Sequence, residues 1–182
     1  MASSAAVPLP RIPVSAYMES VFRPDVDYVD GELEERNVGE VDHATLQKMI
    51  LLALTALEEE GGFYSLQETR VQTSATRFRI PDVCVIPADR IPDRIIQEPP
   101  MLCVEVLSPR DDVMRMQQRC MDYIRMGVPE VWIFDPGTET AYVMRGDSMV
   151  ERKAGILTVP GKDLQLTIED LFEAARKRKP RP

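Results

Sequence analysis

The sequence predicts a single α/β domain in which helices flank a mixed β-sheet. Residues 101–134 read as strand, helix and strand, and a unit of this kind favours two parallel strands joined by a right-handed crossover. Before it, two strand-like runs within residues 63–86 are separated by a short break, which favours an antiparallel arrangement. The length of 182 residues is enough for one domain with its own hydrophobic core.

The first third of the chain is predicted to contain two helices and two short strands. Residues 1–13 carry prolines among small residues and are predicted to form a flexible N-terminal arm. A short helix is expected at 14–22, and the run DYVDGELEERN alternates around Gly31 as two short strands would. Apolar residues at helical spacing predict a helix over 42–60, ended by Gly61 and Gly62.

The rest of the chain is predicted to alternate strands and helices and to end in a basic tail. Strands are expected at 63–72 and at 77–86, the second interrupted at Pro81, and a proline-rich surface loop follows them. A strand at 101–107 is apolar on both faces, as central strands are. The remaining elements are a helix from Asp111 or Asp112 to Gly127, strands at 131–134, 140–145, 149–152 and 156–159, and a helix at 167–177. The predicted domain spans 14–176, and 177–182 form the tail.

Charge and composition narrow the class of protein. The net charge of -8 argues against nonspecific coating of nucleic acid, which depends on lysine and arginine, although a local basic groove stays possible. Cys84, Cys103 and Cys120 are odd in number and far apart, so we expect buried small side chains in a reducing compartment. No apolar run approaches the roughly 20 residues of a membrane span, and the N-terminus lacks a signal-peptide pattern. We therefore expect a cytoplasmic protein with no membrane partner.

Two acids occupy strand-like apolar surroundings. Asp82 follows Pro81, and Glu105 lies in the middle of the run LCVEVL. Burying a charge costs several kcal/mol, as an order of magnitude, unless a partner or a metal ion compensates it. If the two strands are neighbours, the carboxylates converge and repel each other unless a cation lies between them. Mg²⁺ accepts one or two carboxylates together with water and phosphate oxygens, so the pattern outlines a site for phosphodiester hydrolysis.

Such a site needs a positive group to balance charge in the transition state. Two positions after Glu105, where a lysine would complete an ExK motif, the chain has Leu107. Along the following helix, Arg119 lies on the same side as Asp112 and Tyr123 and is placed to reach back toward the end of the strand.

Several segments together resemble a known family. They are VDGELEE, the helix opening at His43, IPDVCVIP, LCVEVLSP, YIRMGVPEVWIFDP and LTIEDLF. Residues 28–171 are similar to the Uma-type putative restriction endonuclease family, a branch of the PD-(D/E)XK nuclease-like superfamily. The resemblance implies a restriction-endonuclease-like fold, that is, a mixed β-sheet flanked by helices.

The same resemblance implies an activity and a set of site residues. Asp82, Glu105 and the carbonyl of Val106 would bind Mg²⁺, with Mn²⁺ able to substitute, and the enzyme would hydrolyse DNA as a homodimer. Arg119 stands where many members carry a lysine moved into the helix. Arginine keeps the charge but its pKa, above about 12, prevents it from exchanging a proton with the attacking water.

The residues also allow other interpretations. Asp82 and Glu105 could be structural acids that are satisfied by Arg77, Arg79 or backbone amides, and Arg119 could pair with Asp112 or Asp122 in solvent. The whole protein could then be a catalytically inactive nuclease-fold module for binding or dimerisation, because the fold alone does not fix the function.

The remaining polar and aromatic candidates also have two interpretations each. His43 could have a local hydrogen-bonding role at the helix start, or it could be a ligand. Glu32 could be an outer carboxylate of the site or a surface acid. Tyr123 and Trp132 are expected to pack in the core and not to stack on bases.

Overall fold

The computed structural model describes residues 11–36 and 40–178. Within these residues the helices are α1 (Val14–Glu19), α2 (Val41–Thr55), α3 (Glu58–Gly61), α4 (Val113–Met126) and α5 (Ile168–Arg178). The strands are β1 (Val26–Val29), β2 (Glu32–Glu35), β3 (Phe63–Gln67), β4 (Val71–Ser74), β5 (Arg77–Arg79), β6 (Val83–Pro87), β7 (Leu102–Val106), β8 (Val131–Asp135), β9 (Thr140–Arg145), β10 (Ser148–Arg152), β11 (Ile156–Thr158) and β12 (Gln165–Thr167).

The large sheet has six strands in the order β10-β9-β8-β7-β6-β3. Its β7 and β8 are parallel and are joined through α4, whereas the other neighbouring pairs are antiparallel. This mixed sheet confirms the predicted fold class, and the parallel pair confirms the crossover expected from the strand–helix–strand pattern.

Helices cover both faces of the large sheet. On one face, α2 and α5 pack Ile50, Leu54 and Phe172 against β6, β7 and β8. On the other face, α4 packs Cys120 and Tyr123 against the odd-numbered side chains of β7 and β8. Because side chains alternate along a strand, Glu105 shares this second face with Cys103 and points toward α4. The free cysteines Cys84, Cys103 and Cys120 are all buried on this face, as predicted.

A small four-stranded antiparallel sheet, in the order β2-β1-β5-β4, was not predicted. The strands expected at 63–72 and 77–86 are each divided between the two sheets: β3 and β6 belong to the large sheet, and β4 and β5 to the small one. Glu68 has a positive φ of 46° at the first division, and Pro81 lies at the second. The chain therefore crosses between sheets just before Asp82.

The helix ends agree with the capping signals in the sequence more closely than the strands agree with their predicted bounds. In α4 the Asp112 carboxylate accepts hydrogen bonds from the amides of Met114 and Arg115, and Gly127, with φ 111°, ends the helix. The predicted helix over 42–60 is instead α2 and α3 with a short break between them. In α2, Asp42 lies in the first turn and Glu40 is the capping position.

The chain ends differ in part from expectation. The amide of Ile12 donates to the carbonyl of Gly31, and the Tyr28 hydroxyl donates to the carbonyl of Ile12, so this part of the predicted arm is attached to β1 and β2. Residues 1–10 of the arm and 179–182 of the tail lie outside the described residues, and α5 extends to Arg178. None of the helices described has the length and apolar character needed to cross a membrane.

Candidate active site

Asp82 and Glu105 lie on neighbouring strands of the large sheet. Strands β6 and β7 are antiparallel, with Val83 opposite Val104, so Asp82 lies across from Glu105 at the end of this pairing. Both are almost completely buried, with exposed fractions of 3% and 1%. The expected adjacency of the two strands is confirmed, and the question becomes how each charge is compensated.

Asp82 is held by three groups from different parts of the chain. Its Oδ2 accepts a hydrogen bond from the backbone amide of Val106 at 2.7 Å, and its Oδ1 accepts one from Nη2 of Arg36 at 2.8 Å. Nε2 of His43, on α2, lies 3.6 Å from the same Oδ1. Helix α2 also fixes the backbone, because Gln47 donates to the Asp82 carbonyl at 3.0 Å.

Glu105 is held by two side chains of α4. Its Oε1 accepts from the Tyr123 hydroxyl at 2.7 Å, and its Oε2 accepts from Nη1 of Arg119 at 3.0 Å. Nε of Arg119 also donates to Oδ2 of Asp27, on β1, at 3.1 Å. Arg119 therefore reaches back to the strand end as the helical spacing predicts.

Arg79, on β5, joins further acids to this arrangement. Its side chain is 2% exposed and donates to Asp27 at 3.0 Å, to Glu34 at 2.6 Å and to Asp122 at 2.9 Å. Because Asp27 also binds Arg119, the ion pairs around Arg79 and Arg119 form one connected set. We call this set, together with the adjoining Asp82–Arg36 pair, the carboxylate–arginine network. Its members are Asp27, Glu34, Asp82, Glu105, Asp122, Arg36, Arg79 and Arg119.

The network settles the pairing alternatives. Arg77 and Arg79 bind neither Asp82 nor Glu105 and contact other acids instead. The backbone-amide alternative is correct for Asp82, through Val106. The alternative in which Arg119 pairs with Asp112 or Asp122 is wrong, because Arg119 binds Asp27 and Glu105, Asp112 caps α4, and Asp122 binds Arg77 and Arg79.

Burial and neighbouring charges shift the pKa values of the two acids in opposite directions. For Glu105, burial raises the pKa from 4.5 to about 7, against the lowering effect of Arg119. For Asp82, burial also acts upward, but His43, Arg36 and the Val106 amide outweigh it and hold the pKa below its usual range. Burial lowers the pKa of His43, yet the hydrogen bond and charge of Asp82 raise it overall. Asp82 is therefore the firmly ionised member of the pair.

Replacing Glu105 with glutamine is expected to change how stability depends on pH. Between pH 4.5 and about 7 the folded protein keeps a proton on Glu105 that the unfolded chain releases, so wild-type stability falls as the pH rises through this window. The loss attributable to this group is about 3 kcal/mol at full ionisation. Urea unfolding at several pH values measures it, and Glu105→Gln should show a flatter profile. Parallel profiles for the two proteins would contradict this expectation.

His43 connects the buried acids with an open cavity. Its Nδ1 lies 3.2 Å from Oγ of Ser108, and both residues line a cavity of about 320 Å³. Asp42, Asp135 and Thr138 lie along the same cavity. The contacts of His43 agree with the local hydrogen-bonding interpretation, and the cavity lies beside the histidine that contacts Asp82.

Of the remaining candidates, Tyr123 belongs to the site through its hydrogen bond to Glu105, whereas Glu32 contacts Arg11 and Trp132 donates to Glu130. Glu32 is a surface acid, since its side chain is 63% exposed and lies 3.7 Å from Arg11. Tyr123 and Trp132 are fully buried, which confirms the expectation of core packing.

Sequence reasoning missed Asp27 and Arg36. Asp27 carried a usable signal, because it is an acid within a strand-like run that continues as Tyr28 and Val29, the same signal that singled out Glu105. Arg36 had no such signal in the sequence, since it follows an exposed strand and is brought to Asp82 only by the tertiary fold.

Comparisons with known proteins place the chain in a family. The Uma2 family model, described as "Putative restriction endonuclease", matches residues 19–174. No curated protein matches the chain. Among solved structures, a nuclease of DUF820 from Anabaena variabilis ATCC 29413, itself described as putative, superposes with a TM-score of 0.81 at 20% identity over 90% of this chain and 99% of that one.

A second structure, the cryoEM DrdV–DNA complex, aligns with a TM-score of 0.42 at 11% identity, over 78% of this chain and 12% of that chain. The first structure supports the fold, and the family model covers most of the sequence, including all residues of the carboxylate–arginine network. The chain belongs to the Uma2 family of putative restriction endonucleases.

Proposed function

We propose that the protein is a Mg²⁺-dependent endonuclease that hydrolyses DNA phosphodiester bonds. The observation that supports this most directly is the pair of buried carboxylates, Asp82 and Glu105, on neighbouring strands, with the guanidinium of Arg119 bound to Glu105. Two acids buried side by side each cost free energy to desolvate, and such arrangements are concentrated at functional sites.

The donor atoms suit a hard divalent cation. In the described part of the chain, no three side chains of His, Cys, Asp or Glu form a metal site. The proposed ion would have two carboxylate ligands, Asp82 and Glu105, and the Val106 carbonyl, with water and phosphate oxygens completing the shell. Oxygen ligands with few carboxylates are the set that Mg²⁺ accepts, and Mn²⁺ can replace it.

The backbone geometry at Val106 agrees with this set. Val106 is the last residue of β7, and its N–H points to Asp82. The N–H and C=O of an extended residue point to the same side of the strand, so the carbonyl is directed to the Asp82 side as well. When bound, the ion would polarise the phosphate and lower the pKa of the attacking water.

Residues of the chain would bind the phosphate and hold the two carboxylates in position. Arg119 would balance negative charge on the phosphate, since a guanidinium can hold phosphate oxygens with two parallel hydrogen bonds. Tyr123 fixes one Glu105 oxygen and the Val106 amide fixes one Asp82 oxygen, so neither carboxylate rotates freely. Arg119 cannot accept a proton at ordinary pH, so we propose that the reaction is slow.

Nicking of supercoiled plasmid DNA with Mg²⁺ or Mn²⁺ tests the proposal. Wild-type protein is expected to nick, and Glu105→Gln, which keeps the shape of the side chain, to lose about a hundredfold or more in rate, as loss of a key electrostatic group does. Glu98→Gln is the matched control, because Glu98 is exposed in a surface pair with Arg90. Equal nicking by wild type and Glu105→Gln would rule out this site as the source of activity.

A second candidate function is a catalytically inactive module for binding or dimerisation. It is favoured by the fact that Arg36 and Arg119 already compensate both carboxylates. On this alternative, no metal-dependent nicking exceeds that of Glu105→Gln, while the protein still binds DNA or associates with itself. The homodimer expected from the two-fold symmetry of duplex DNA stays a prediction under both functions.

A further inference from the structure

Arg36 occupies the Asp82 oxygen that a metal ion would need. Its Nη2 donates to Oδ1 of Asp82 at 2.8 Å, and the Arg36 side chain is 15% exposed. Its Nε is buried and has no hydrogen-bond partner among the residues described. A buried donor without a partner costs about 1–3 kcal/mol, so this position of the guanidinium satisfies Asp82 at the expense of Arg36 itself.

Arg36 and Arg119 are held very differently. Arg119 bridges two buried acids, Asp27 and Glu105, from the middle of α4. Arg36 contacts one acid, Asp82, and follows β2, an edge strand of the small sheet that pairs with β1 alone. Of the two guanidinium groups, Arg36 is therefore the one that can leave its carboxylate with the smaller loss of contacts.

We propose that Arg36 is a built-in counter-ion that competes with the divalent cation for Asp82 and turns to a DNA phosphate when the cation binds. This inference rests on the proposed function of the same site. A guanidinium and a divalent cation on the same carboxylate oxygen repel each other, so each weakens the binding of the other. Once released, the Arg36 fork offers several N–H donors with the geometry that a phosphodiester accepts.

Mn²⁺ binding measured by calorimetry without DNA tests the competition. Arg36→Gln removes the competing charge and is expected to bind Mn²⁺ about tenfold more tightly than wild type, from the loss of like-charge repulsion. Arg36→Lys keeps the charge and should resemble wild type. Arg90→Gln removes one positive charge from an exposed surface pair and should also resemble wild type, which separates the local effect from net charge.

Asp82→Asn separates failure of the inference from failure of the proposed function. If Asp82→Asn abolishes Mn²⁺ binding and Arg36→Gln binds no more tightly than wild type, the competition is absent and the metal site stands. If no protein binds Mn²⁺, or if Asp82→Asn binds like wild type, the proposed metal site itself is wrong. If Arg36→Gln is poorly folded, melting temperatures are measured with and without Mn²⁺ instead. A larger rise with Mn²⁺ in the variant than in wild type supports the competition, and an equal rise contradicts it.

The phosphate part of the proposal has its own measurement. Binding of a short DNA duplex is compared with and without Ca²⁺, as a divalent cation with oxygen ligands, for wild type and Arg36→Gln. If Ca²⁺ releases Arg36 toward the phosphate, the cation should increase DNA affinity more in wild type than in the variant, by the reciprocity of linked binding. Equal enhancement in both proteins would show that the cation does not turn Arg36 toward the DNA phosphate.

Discussion

Replacing Arg79 with methionine is expected to lower the free energy of unfolding by about 3–5 kcal/mol. Arg79 is 2% exposed and binds Asp27, Glu34 and Asp122, of which Asp27 and Asp122 are themselves buried. Removal of the guanidinium takes one counter-charge from each of these two buried carboxylates and leaves Arg119 as the partner of Asp27 and Arg77 as the partner of Asp122. Urea denaturation of wild type and Arg79→Met at neutral pH measures the difference.

Arg176→Met provides the comparison for Arg79→Met. Arg176 pairs with Glu139 on the surface, with both side chains about half exposed, and its loss should cost about 1 kcal/mol or less. A similarly small loss for Arg79→Met would mean that Arg119 and Arg77 are sufficient partners for the two buried acids. Arg79 would then not be the group that holds Asp27 and Asp122 in their buried positions.

Replacing Arg119 with lysine is expected to raise the nicking rate by about a hundredfold. Lysine keeps a positive charge within reach of Glu105 and, unlike arginine, can release a proton when its pKa is lowered by burial. Proton transfer by a positioned side chain typically contributes about a hundredfold to ten-thousandfold. Initial rates on supercoiled plasmid with Mg²⁺ measure the change.

Arg115→Lys is the matched control on the same helix, because Arg115 is exposed on α4. It should leave the nicking rate unchanged. If Arg119→Lys is folded and nicks no faster than wild type, the positive group acts only through its charge, and arginine already supplies what the reaction requires. Thermal unfolding checks the folding, since lysine cannot hold Asp27 and Glu105 with the same two-sided geometry.

Features of the fold with local signals could be predicted from sequence. Asp112 and Gly127 mark the two ends of α4, and the apolar runs around Glu105 and Trp132 identify the central parallel pair. For the same reason the adjacency of Asp82 and Glu105 could be anticipated, since strands that follow each other in sequence are usually neighbours in space.

Features that depend on tertiary contacts could not be predicted in this way. Residues 77–86 look like one strand broken by Pro81, and nothing local shows that the two halves enter different sheets. Arg36 is 46 residues from Asp82 and could be paired with it only once the small sheet is placed. For the same reason the acids that pair with Arg77, Arg79 and Arg119 could not be assigned from the sequence, because charge alone does not determine which of several nearby acids an arginine binds.

The small sheet meets the rest of the domain through the same ion pairs that build the site. Asp27 and Arg79 lie on its strands and Arg36 follows β2, whereas their partners Arg119, Asp122 and Asp82 belong to α4 and to the approach to β6. Asp27 and Arg119 are separated by 92 positions in the chain. Tertiary assembly and chemistry thus depend on shared side chains, so a substitution that tunes the reaction also alters how firmly the two sheets are joined.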